Sequence, residues 1–71
     1  MNKQQELRNI SDFLDEVMKI KRVTKTTLHV NNNSKSIDIY AMQDVNIAHL
    51  ISKYDITTNI NLIIIFPAIS Q

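Results

Sequence analysis

Asn59-Ile60-Asn61-Leu62-Ile63-Ile64-Ile65-Phe66 is the stretch on which the fold turns. It is rich in β-branched residues, far too short to cross a membrane as a helix, and closed by Pro67. Side chains alternate faces along an extended chain. Ile60, Leu62, Ile64 and Phe66 therefore share one face, and Asn61, Ile63 and Ile65 the other. A strand that is apolar on both faces belongs in a covered sheet or at a subunit contact. A fully buried Ile or Phe contributes roughly 1.5–3 kcal/mol, so leaving Ile63 and Ile65 in water would waste much of a small core.

The rest of the 71-residue chain supplies the cover and makes one domain, residues 1–71. Lys3–Lys21 reads as an amphipathic helix. Leu7, Ile10, Leu14, Val17 and Met18 form its stripe, with Phe13 and Ile20 on the flanks. Arg8, Asp12, Asp15, Glu16, Lys19 and Arg22 occupy the opposite face. Thr24–Val30 and Ser36–Met42 alternate polar and apolar residues as half-buried strands do. The polar stretch Asn31–Lys35 joins them as a hairpin loop. Asp44–Tyr54 reads as a second helix, with Asp44 as N-cap and Ile47, Ala48, Leu50, Ile51 and Tyr54 facing inward. Glycine is absent, so a left-handed backbone position must fall to another residue, with Asn the first candidate.

The expected fold is α+β, with element order α-β-β-α-β. The expected sheet is three-stranded and mixed, with both helices on one face. A crossover through the second helix makes the third strand parallel to the second. Of the two ways to place that third strand, order 2-1-3, with the first strand central, is preferred over a position beside the second strand.

Several chemistries are set aside. Without cysteine there is no disulfide and no thiolate metal site. The two histidines, His29 and His49, have no metal-ligand spacing, so no metal or cofactor is expected. Without glycine there is no Gly-rich phosphate loop. The serines lack an activating base and the carboxylates lie on a polar helix face, so the expectation is a protein that is not an enzyme, with no catalytic residues. The formal net charge is +1, which creates no long-range field for nucleic acid or for an anionic membrane. The polar start of the chain has no apolar run of signal-peptide length, and a cytoplasmic location is expected.

What remains is contact with other proteins. With helices on one side of the sheet, the other side shows Thr27, His29, Tyr40, Met42, Ile63 and Ile65. These are the expected self-association or partner interface, through face-to-face packing or pairing of last strands. The expected function is a small non-enzymatic protein–protein interaction module that works as a homo-oligomer, a dimer in the simplest case. The Ile, Asn and Lys bias fits an AT-rich bacterial or phage genome. The small size fits a phage or mobile-element accessory protein acting on a host or phage protein. The alternative is a nucleic-acid binder that uses a basic patch of Lys19, Lys21, Arg22, Lys25 and Lys35, with Tyr40 for stacking.

Overall fold

The computed structural model describes residues 3–42, 45–56 and 60–66. The expected N-cap Asp44, the link through Thr57 and Thr58, the strand's first residue Asn59 and the closing Pro67 lie outside them. Five elements follow one another: α1 (Lys3–Met18), β1 (Val23–Val30), β2 (Lys35–Ala41), α2 (Ala48–Tyr54) and β3 (Ile60–Ile65). The fold is α+β with one mixed sheet: β1 pairs antiparallel with β2, and β3 pairs parallel with β2.

The strand order is β1-β2-β3, so β2 is central and the expected order 2-1-3 is corrected. The burial pattern gives the physical reason. Ile37, Ile39 and Ala41 of β2 are wholly buried, as a strand flanked on both sides should be. The matching residues of β1 are not, since Leu28 is 36% exposed and Val30 62%. Lys35 to Tyr40 of β2 pair without a break on both sides. β1 carries a register shift between Val23 and Lys25 and a run of polar residues, Thr24 to Thr27, both features of an edge strand. The third strand, apolar on both faces, is also an edge strand, β3.

One core lies between the helices and one side of the sheet. α1 contributes Ile10, Phe13 and Val17, all buried and spaced by three and four residues. The inward stripe is thus centred on Phe13's side of the helix, and Leu7 and Met18 are exposed instead of buried. The rotation follows from α2. Its Tyr54 packs edge-on to Phe13, with ring centroids 6.4 Å apart, and draws that flank of α1 inward. Ile47, Leu50, Ile56 and Ile60 complete the buried set, with Leu62 and Ile64 half-buried against it.

Both helices are shorter than their sequence patterns suggest. α1 ends at Met18, not Lys21; Lys19 and Ile20 donate backbone hydrogen bonds to Glu16 and Val17, and Val23 to Ile20, as tight turns. β1 then starts at Val23, which is buried. α2 starts at Ala48, and Val45, Asn46 and Ile47 precede it in irregular backbone. The Ala48 N–H donates to Asn46 Oδ1 at 3.1 Å, so Asn46 satisfies a donor of the first turn. At the other end Asp55 adopts φ 54° and ψ 43°, and its N–H donates back to the last-turn carbonyls. Where glycine would be usual, Asp serves as the left-handed cap. The hairpin loop closes with a hydrogen bond from Asn31 N–H to the Ser34 carbonyl, at 2.8 Å.

Candidate interaction face

Residues paired across a sheet point to the same side, so the register assigns each face. Ile37, Ile39 and Ala41 face the core. Lys25, Thr27 and His29 of β1 pair with Tyr40, Asp38 and Ser36 of β2. Those in turn pair with Ile65, Ile63 and Asn61 of β3. These nine side chains form the opposite face. Five of the six residues expected at an interface, Thr27, His29, Tyr40, Ile63 and Ile65, are therefore on one surface. Met42, one residue past β2, is 64% exposed at the end of that surface. Asp38 belongs to the same face and was not among the six; its alternation with Ile37 and Ile39 is the signal that places it there.

The face is graded across the sheet. On the β1 side, His29 Nε2 lies 2.8 Å from Asp38 Oδ2. Lys25 Nζ lies 5.4 Å from the centroid of the Tyr40 ring, within range of a cation–π contact. The β3 side has no charge: Ile63 is half exposed at 50%, beside partly buried Ile65 and exposed Asn61. Among the described residues no helix packs on this side. An uncharged apolar strip beside a polar strip is the pattern of an interface core with its rim.

A second run of exposed apolar side chains lies at the other margin, on the helix side. Leu7 and Met18 of α1 stay open, as do Leu28 and Val30 of β1, the strand that α1 packs against. Sequence periodicity misses this margin because a 3.6-residue repeat locates an apolar stripe but not how far the next strand reaches beneath it.

The basic patch is divided. Lys19, Lys21 and Arg22 are exposed in the turn before β1, and the Arg22 carbonyl accepts the Met42 N–H at 2.8 Å, which places that turn at the Tyr40 end of the sheet. Lys35 sits five residues away along β2, roughly 17 Å at ~3.3 Å per residue. Its ammonium pairs with Glu6 at 2.6 Å. Four of the five expected basic residues thus lie at one end of the sheet; Lys35 does not join them.

Glu16 does not lie on a merely solvated helix face. It accepts hydrogen bonds from the Tyr54 hydroxyl and, at 3.0 Å, from Lys53 Nζ. The Tyr54 hydrogen bond, then the Lys53 one, holds its carboxyl below the ordinary 4.5. The bond to Glu16 is also the main cause that raises Lys53 above 10.5 and Tyr54 above 10.0. The three groups clasp α2 to α1. Asn9 Nδ2 adds a long hydrogen bond to the Tyr54 carbonyl at 3.5 Å.

Among the described residues no group of three or more His, Cys, Asp or Glu side chains is placed to hold a metal ion. His49 is exposed on α2, far in sequence from His29 on β1. No helix among them is long and apolar enough to cross a membrane. The fold and this face define the class: a small two-layer α+β domain with one open, partly apolar sheet surface. No protein-family model, curated protein or solved structure matches the chain.

Proposed function

We propose that this protein is a small, non-enzymatic interaction module that self-associates, as a dimer in the simplest case, through the β3 side of its open sheet face. The observation that carries the reading is Ile63, left 50% exposed on the same face as Ile65, with Asp38 opposite it on β2 and Tyr40 opposite Ile65. Completing its burial is worth about 1 kcal/mol per copy, half of the roughly 1.5–3 kcal/mol of a full Ile. Thr27, His29 and Met42 extend the same surface and serve as its polar and flexible border. The module needs no cofactor, and a cytoplasmic setting belongs to the same proposal. So does a role as a phage or mobile-element accessory protein acting on a host or phage protein, for which the support is small size and codon-type bias alone.

Size-exclusion chromatography with light scattering tests it. The wild type is expected at twice the chain mass. Ile63→Lys, folded by circular dichroism, is expected at the chain mass. A wild type that stays monomeric at high concentration overturns the self-association.

The Lys25–Tyr40 contact, with Lys19, Lys21 and Arg22 at the same end of the sheet, supports a second reading as a single-stranded nucleic-acid binder. An electrophoretic shift that weakens steeply with salt would favour it. No retardation at low salt would remove it.

A further inference from the structure

The two edges of the sheet are protected unequally. Exposed strand edges carry unpaired N–H and C=O groups, and proteins guard them with charge, bulges or proline. β1 has such guards: a register shift between Val23 and Lys25, and the Lys25 and His29 side chains. β3 has none over Ile60–Ile65; it contains no charged residue and no proline, and its pairing with β2 runs without a shift.

We infer that β3 pairs edge to edge with β3 of a second copy, antiparallel, joining two three-stranded sheets into one of six strands. The inference deepens the self-association proposed above and rests on it. The occupant follows from the strand's own pattern. In a two-fold antiparallel pair, opposed residues share a face, so a register centred on Ile63 keeps both copies' helices on the same side. That register sets Ile63 against Ile63, Leu62 against Ile64, Asn61 against Ile65, and Ile60 against Phe66. It uses the whole described stretch. Leu62 and Ile64, half-buried at the rim of the core, gain apolar neighbours that continue it, and Phe66, 46% exposed, lies over the partner's Ile60. No charge is buried, and only Asn61 brings a polar side chain to the contact. The exposed margin of α1 and β1 offers no comparable match, because the shift at Thr24 interrupts that edge.

Amide hydrogen exchange by NMR on the wild type tests the inference, with sedimentation equilibrium on the same samples. Successive β3 amides point alternately to β2 and to the outer edge. The expected result is a dimer in which both sets are protected, the outer set losing its protection at least tenfold on dilution into the monomer range. A dimer whose outer β3 amides exchange as freely as loop amides overturns edge pairing and leaves self-association through the sheet face standing. A monomer at every concentration overturns both.

Discussion

Replacing Ile39 by Ala and, separately, Val30 by Ala tests which strand is central. Ile39 is fully buried in β2, whereas Val30, at the end of β1, is 62% exposed. An Ile→Ala change at a closed core site costs roughly 2–5 kcal/mol. A 71-residue chain has total stability of about 4–11 kcal/mol at ~0.05–0.15 kcal/mol per residue. Ile39→Ala therefore removes a large share of it. Val30 has about two-fifths of its side chain covered, and trimming it to Ala costs about 0.5 kcal/mol on the same area scale. Urea unfolding followed by circular dichroism measures both, at one fixed protein concentration because association adds a mass-action term. In thermal unfolding each kcal/mol appears as about 4–8 °C for a domain of this size. If Val30→Ala cost as much as Ile39→Ala, β1 would be the covered strand and the central position of β2 would be wrong.

The clasp between the helices makes stability depend on pH. Glu16 is depressed below 4.5, so its contribution is complete above that value and is lost as pH falls through the lower folded value. Wild type is expected to melt above Glu16→Gln at neutral pH, with the gap closing in acid; a constant gap would mean that Glu16 acts by packing alone. Lys53 and Tyr54 are raised, so their contribution holds below about 10 and is lost as pH climbs through the raised values. Asp55→Val puts a β-branched residue at φ 54° and is expected to cost about 1–2 kcal/mol, while Asp55→Gly keeps the cap. Equal denaturation midpoints for the two variants would show that the left-handed position does not matter.

Much of this architecture is legible in the residues. Alternation in Thr24–Val30, Ser36–Met42 and Asn59–Phe66 marks three strands, and with both helices on one side of the sheet it assigns Thr27, His29, Tyr40, Ile63 and Ile65 to the other face. Strand order is harder, because alternation describes each strand alone. The polar run Thr24-Lys25-Thr26-Thr27 carries the signal that β1 is an edge, and neighbours in sequence tend to be neighbours in the sheet. Helix rotation is harder still. Leu7 and Phe13 are equally apolar, and what separates them is packing against residues distant in sequence, Tyr54 of α2 among them, which a helical period does not display. The Glu16–Tyr54–Lys53 clasp joins residues 37 and 38 positions apart, beyond the reach of any local pattern.

Solvent access to the Ile63 methyl groups, read by NMR with a soluble paramagnetic agent, tests most directly whether β3 recruits a second copy. The chain alone leaves Ile63 as open as Leu7 and Met18 on the helix. With rising protein concentration, relaxation of the Ile63 methyls by the agent is expected to fall while Leu7 and Met18 stay unchanged. Ile63 remaining as accessible as Leu7 at every concentration would contradict the account.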